Sequence, residues 1–282
     1  MTLPNALVIG PMKAGTSWVQ EYLALRRDVC LPKGVKETFY FDRYFGKAPH
    51  WYEGHFRHYG PENHRRVMEV APSYFHSAEA PRRIHDLLGE IPLIVTLRDP
   101  VQRAWSHYLH LRRKGYTQLS LREAVQEYPE ILDASRYSRQ LNRWAKIFGK
   151  NNLHIFLLED LIKDPDMYCV QLCNVLDLAY ADPGAVAGQQ LNARGVAPSP
   201  LLAKTGRIVA DGLRGRGLYF IVNSAKAMGL KEVFFGRSGA VEPPSLGEAD
   251  HGLLAKELED EVVTLDAFLE ARMPRLYEGN LP

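Results

Sequence analysis

Cysteine is scarce: the 282 residues hold three, Cys30, Cys169 and Cys173. So small and odd a number argues against a disulfide framework. The last two lie four apart in an apolar helical pattern, so buried thiols in a reducing compartment are preferred to a disulfide or a metal site. Net charge is scarce too, at +2, which argues against the global basic field of a nucleic-acid or polyanion binder. Any strong positive charge must be local. No uninterrupted apolar run approaches the roughly 18 residues of a membrane span, and the N-terminus lacks a basic-then-apolar leader. The expectation is a soluble, cytoplasmic protein with neither nucleic acid nor membrane as partner. Internal repeats and low-complexity tracts are missing, as is any His/Cys/Asp cluster with metal-ligand spacing, so no metal site is predicted.

What is present is an ordinary globular composition, 46% apolar and 24% charged, in a chain long enough to bury a sizeable core. Short apolar, β-branched runs at 7–9, 67–71, 92–97 and 153–158 alternate with helical spacing at 16–25, 81–88, 101–114, 135–148 and 164–178. A continuous apolar run such as Pro-Leu-Ile-Val-Thr-Leu at 92–97 marks a strand buried on both faces of a parallel sheet. The alternation predicts an α/β fold, a mainly parallel central sheet flanked by helices in three layers, as one domain over 1–282. Ser120 and Glu123 have capping-box spacing, Asp164-Pro165 supplies a cap and a first-turn proline, and Gly149 sits where a helix ends. Residues 43–64 read as a loop-rich wall on the substrate side and 179–200 as a long loop. The stretch 201–230 reads as mostly helical, with a basic cluster at Arg207, Arg214 and Arg216, and 248–269 as one final helix.

The stretch from Ala6 to Tyr22 organises the rest. An apolar strand meets Gly10-Pro11, then Lys13, Ala14, Gly15, Thr16 and Ser17, and a helix begins at about Trp18. Unpaired amides and the helix dipole make such a junction an anion site, glycine allows close approach, and lysine adds a mobile cation. The nucleoside-triphosphate loop G-x-x-x-x-G-K-[ST] puts lysine directly after its last glycine. Here Lys13 stands two residues before Gly15. A glycine turn with a solvated lysine is the plainer alternative. The second candidate group is Arg98, at the carboxyl end of a buried strand, with Ser106 eight residues on in the next helix. An arginine fork and a neutral donor suit phosphate oxygens. The third is Lys36-Glu37, beside Thr38-Phe39-Tyr40-Phe41, read as a half-buried charged cluster or a surface pair.

Together these stretches resemble the sulfotransferases that use 3′-phosphoadenosine 5′-phosphosulfate (PAPS). G-P-x-K-x-G-T-[ST] resembles their 5′-phosphosulfate loop, and Leu97-Arg98-Asp99-Pro100 with Arg103, Ser106 and Tyr108 resembles their 3′-phosphate motif. Lys36-Glu37-Thr38-Phe39-Tyr40-Phe41 is similar to the K-E-x-x-[FY]-F segment of the branch holding heparan-sulfate enzymes and many bacterial relatives, in which a glutamate is the proposed base. Glu159-Asp160-Leu161 with Asp164-Pro165 resembles a structural turn of the family. The resemblance covers roughly 5–178, implies a P-loop-like fold, and names PAPS as co-substrate and PAP as its product. It also gives Arg194 as a partner of the 3′-phosphate.

The implied reaction moves a sulfuryl group to a hydroxyl, or less readily an amine, of a small-molecule acceptor. Glu37 would take the acceptor's proton, Lys13 would stabilise the leaving phosphate, and Lys36 would neutralise sulfuryl oxygens or hold Glu37. Lys13, Ala14, Gly15, Thr16, Ser17, Trp18, Arg98 and Ser106 would hold the nucleotide, with Trp18 equally a core residue. Tyr74 and Tyr137 would shape the acceptor pocket or simply pack. His76 and His107 are the rival bases. A P-loop kinase using ATP, with Thr16 or Ser17 on magnesium and Asp99 as acid, is the alternative, and a non-catalytic nucleotide-binding module is the third reading.

Overall fold

The computed structural model describes residues 2–187, Gly212 and residues 244–270. Five strands, β1 (Ala6–Val8), β2 (Val29–Cys30), β3 (Arg66–Val70), β4 (Leu93–Leu97) and β5 (Leu153–Leu157), form a sheet in the order β2-β3-β1-β4-β5. Every neighbouring pair is parallel, with Leu7 opposite Glu69 on one side and Leu93 on the other. The connection from β1 leaves towards β2 and that from β4 towards β5. The loops after these two adjacent strands therefore part, and open a crevice at their carboxyl ends.

The helices between the strands are α1 (Thr16–Ala24), α2 (Pro49–Glu53), α3 (Ala80–Leu88), α4 (Pro100–Arg113), α5 (Leu121–Glu127), α6 (Glu130–Asp133) and α7 (Tyr137–Phe148), and α8 (Leu158–Lys163) and α9 (Pro165–Val175) follow β5. Two C-terminal helices, Glu248–Glu257 and Glu259–Glu270, follow. Alternate residues of β1 feed opposite faces of the sheet. Leu7 and Ile9 join the cluster that includes Tyr40, Tyr52, Tyr74 and Trp144, while Ala6 and Val8 join Trp18, Tyr22, Phe156 and Leu172. β4 divides the same way, Leu93, Val95 and Leu97 to one layer and Ile94 to the other. Burial on both faces is why these strands read as unbroken apolar runs. A third cluster packs Val101 and Trp105 of α4 against Leu254 and Leu258 from the C-terminal helices.

The capping signals are realised. Ser120 accepts from the Glu123 amide while Glu123 reaches back to the Ser120 amide, and Asp164 accepts from the Met167 amide at 2.9 Å. Several expectations change. β2 was not foreseen, because two residues carry no period. The wall at 43–64 contains α2 and a 3-10 turn, Gly54–Phe56. The helix expected from residue 135 starts at Tyr137, since Ser135 turns its hydroxyl to the Pro100 carbonyl at 2.8 Å. The helix expected to residue 178 ends at Val175, and that over 248–269 is broken at Leu258. The loop over 179–200 is described only to residue 187, where it forms the turn Gly184–Val186. The segment 201–230 with its arginines, and Arg194, lie outside the described residues, Gly212 apart.

Candidate active site

The loop after β1 is shaped by its backbone. Lys13 has φ 75° and Gly15 φ 88°, two left-handed residues that wind the chain around a point in front of α1. Gly15 is the residue at the head of α1, and no side chain caps that helix. Its first amides and the positive end of its dipole are thus left for a ligand. Gly10 has a different reason to be glycine: a Cβ there would lie 2.2 Å from Thr96 Oγ1 and 2.4 Å from Thr96 N, so β1 and β4 touch at the base of the loop.

Lys13 is partly buried, and burial is the main cause that draws its ammonium down to about 8. Arg113, Arg98, Arg103 and Lys114 lower it further. Four cations acting on a half-buried fifth make a positive field that favours an anion. With the uncapped start of α1, this field fits the phosphate groups of a nucleotide.

Arg98 follows β4, and its carbonyl accepts the Tyr137 hydroxyl at 3.0 Å. Asp99 caps α4 by accepting the Gln102 amide at 2.7 Å, while its own amide donates to Glu159 Oε1 at 3.0 Å. The Arg-Asp-Pro turn is thus fixed from α4, α7 and α8 together. Ser106 lies two turns into α4, half-buried. Arg103 is fully buried, donating to Ser135 Oγ at 2.6 Å and to the Ile131 carbonyl, with His107 Nδ1 at 3.4 Å.

The Lys-Glu segment meets this loop directly. Lys36 Nζ donates to Ser17 Oγ at 3.0 Å, bridging to α1. Glu37 Oε1 accepts the Ser73 amide at 2.9 Å. Burial pushes the Glu37 carboxyl up to about 7, with Glu69 and Asp42 adding to the shift and Ser73 opposing it. A carboxyl poised there is suited to proton transfer near neutral pH.

The structure thus brings Lys13, Ala14, Gly15, Thr16, Ser17, Lys36 and Glu37 into one continuous arrangement, with Arg98 in the field of Lys13. It places three others behind the site. Trp18 is 5% exposed, donates to the Val186 carbonyl at 2.7 Å and stacks on Tyr22, so it packs the core rather than lining the loop. Tyr74 and Tyr137 are fully buried, their hydroxyls turned to Glu69 and to the Arg98 carbonyl. Of the rival bases, His107 is buried against Arg103 and held down to about 3, and His76 is drawn below the usual imidazole range chiefly by desolvation, with Asp42 opposing. Sequence reading missed Glu69, a carboxylate in the middle of β3. Its signal was a single acid inside the apolar run at 67–71.

The model of the sulfotransferase domain family matches residues 3–187. Mouse heparan sulfate glucosamine 3-O-sulfotransferase 6 is 32% identical over 170 residues, covering 57% of this chain and 48% of that protein. A membrane-associated sulfotransferase of Dictyostelium discoideum, kil1, is 36% identical over 109 residues, 38% of this chain and 23% of its own. The chain spans about half the length, or less, of these relatives. A crystal structure of a sulfotransferase from Alicyclobacillus acidocaldarius superposes with a TM-score of 0.59 at 22% identity, covering 78% of this chain and 97% of that one. At that identity the likeness speaks for the fold.

Proposed function

The chain belongs to the sulfotransferase domain family, and on that premise we propose that it transfers a sulfuryl group from PAPS to a hydroxyl of a small-molecule acceptor. Bound PAPS supplies a sulfuryl group already activated by its 5′-phosphate. Glu37 takes the proton of the acceptor hydroxyl, and its raised carboxyl keeps it basic enough to hold that proton near pH 7. Lys13 and the amides of Gly15, Thr16 and Ser17 offset the charge that gathers on the departing phosphate. Lys36, anchored to Ser17, keeps the base beside the loop. Arg98 and Ser106 take the second phosphate, at the 3′ position, in a field already positive enough to lower Lys13.

One observation carries this reading: the bond from Lys36 to Ser17 sets the half-buried, raised carboxyl of the adjoining Glu37 beside the loop whose lysine is lowered by burial and by surrounding cations. A kinase would need an acid for magnesium where these cations converge, and the family match gives that alternative no support. A small acceptor in the cytoplasm is the finer part of the proposal. It is supported by a net charge of +2 and by three free, buried cysteines. Among the described residues no helix is long and apolar enough to cross a membrane.

Thermal-shift titration with PAP, ATP and NADPH tests the nucleotide: PAP should raise the melting temperature and ATP should do so less. A shift with ATP alone would overturn the reading. In transfer assays with radiolabelled PAPS and a panel of alcohols and phenols, Glu37→Gln and Lys13→Ala should each lower the rate about 10²-fold or more.

A further inference from the structure

β3 runs through the core with one acid in it. Glu69 is fully buried, on the face that Val67 and Ala71 give to the aromatic layer of Tyr40, Phe41, Tyr52 and Tyr74. A bare carboxylate there would be costly, and none of its hydrogen-bond partners is a cation. Instead three donors converge on it. The Thr38 amide reaches Oε1 at 2.5 Å, and the hydroxyls of Tyr52 and Tyr74 reach Oε2 at 2.8 and 3.1 Å. Burial pushes the Glu69 carboxyl up from its usual range, and the bonds from Thr38, Tyr52 and Tyr74 oppose that rise by favouring the ionised form.

Two of these donors belong to the frame of Glu37. Thr38 is the next residue, and Tyr74 is next to Ser73, whose amide Glu37 accepts. The short turn Pro72–Tyr74 therefore holds Glu37 by its backbone and Glu69 by its side chain. Tyr74 Oη also accepts the Tyr40 amide at 3.1 Å and lies 3.2 Å from Thr38 Oγ1. Between them stands Phe39 at φ 57°, a left-handed conformation that a bulky residue adopts only when its surroundings impose it. Its carbonyl accepts the amides of Arg43 and Tyr44, each at 3.0 Å, while Thr38 and Tyr40 on either side are held by Glu69 and Tyr74.

We propose that Glu69 is a positioning residue for Glu37: a buried carboxylate that fixes the strained turn through Thr38 and Tyr74 and sets its negative charge against the base. The inference rests on Glu37 being the base of the proposed reaction. The groups acting on Glu37 are Lys36 and Asp42 of its own segment, Glu69 of β3, and Ser73 and Tyr74 of the turn behind it. Lys36 favours the ionised carboxylate, as do the Ser73 bonds, whereas Asp42 and Glu69 oppose it. Removing the charge at 69 while keeping its shape should therefore let Glu37 ionise at lower pH.

The test is a carboxyl ¹³C NMR titration of the whole protein, the Glu37 signal being identified by its loss in Glu37→Gln. In Glu69→Gln the Glu37 midpoint should fall by about half a pH unit or more, the size expected when one nearby like charge is removed. The PAP-induced thermal shift should stay as in the parent. An unchanged midpoint would overturn the proposal and leave Glu69 a packing element. Should Glu69→Gln fail to fold, the parent decides alone. The Thr38 amide proton must stay far downfield between pH 6 and pH 8, the mark of a charged acceptor. If it moves upfield there as Glu69 takes a proton, the proposal is wrong. A midpoint that falls as expected in a protein that transfers no sulfuryl group would count against the proposed reaction and not against this coupling.

Discussion

Glu37 is where function and stability oppose each other most directly. Its carboxyl is raised from 4.5 to about 7 in the fold, chiefly by burial. The folded protein thus holds this proton more tightly than the unfolded chain does. The stability linked to it is complete below about pH 4.5 and is lost as pH climbs through about 7. A residue that cannot titrate escapes that loss. Glu37→Gln should therefore melt above the parent at pH 8, with the difference closing towards pH 5, even as transfer collapses. Melting curves at the two pH values measure it, and equal curves at both would mean the carboxylate is better solvated than its burial implies. Lys13 shows the same trade with opposite charge, a cation kept among cations until an anion arrives. Both residues were legible in the sequence because their spacing from glycine and from aromatic residues is local. Glu69 was not, and for Tyr74 and Tyr137 pocket and packing stayed open, because which way a polar group faces inside a core depends on strands and helices that meet only in three dimensions.

At the level of elements, the loop after β1 depends on how closely β1 and β4 approach. Gly10 lies against Thr96 backbone and side chain at distances no Cβ can share. Gly10→Ala should force the two strands apart, costing about 1–3 kcal/mol or more, and should weaken PAP binding together with thermal stability. Denaturant unfolding and the PAP shift read both, and a variant that kept both intact would show that the strands can part freely at this point. The strands β1 and β4 could be read from continuous apolar runs because burial on both faces removes the polar alternation, and β5, half-buried at the sheet edge, from the apolar residues around His154. β2 escaped notice because two residues cannot display a period, and α2 because residues 43–64 mix aromatic, histidine and glycine residues without one. The break at Leu258 had no local mark either: an apolar residue at helical spacing stands where the helix ends.

On the scale of the whole molecule, residues beyond the family match complete the frame of the site. Glu261 accepts the Ser138 amide at 2.7 Å and the Ser138 hydroxyl at 2.6 Å, capping α7 one residue from Tyr137, which fixes the Arg98 carbonyl. Leu254 and Leu258 pad α4, and Leu265 joins the layer below the sheet. Glu261→Ala should cost about 1–2 kcal/mol, the usual loss of a helix cap with its hydrogen bonds, and lower the melting temperature by a few degrees. An unmoved transition would show that water replaces the carboxylate without loss. The strand order has a consequence in time as well as in space. Of the five strands β1 is made before the others yet lies central in the sheet, and its partners lie at 66–70 and 93–97. At about 5–20 residues per second of synthesis, the segment bearing Lys13 must wait seconds for the strands that flank it. The loop after β1 is thus synthesised well before it can be held in shape.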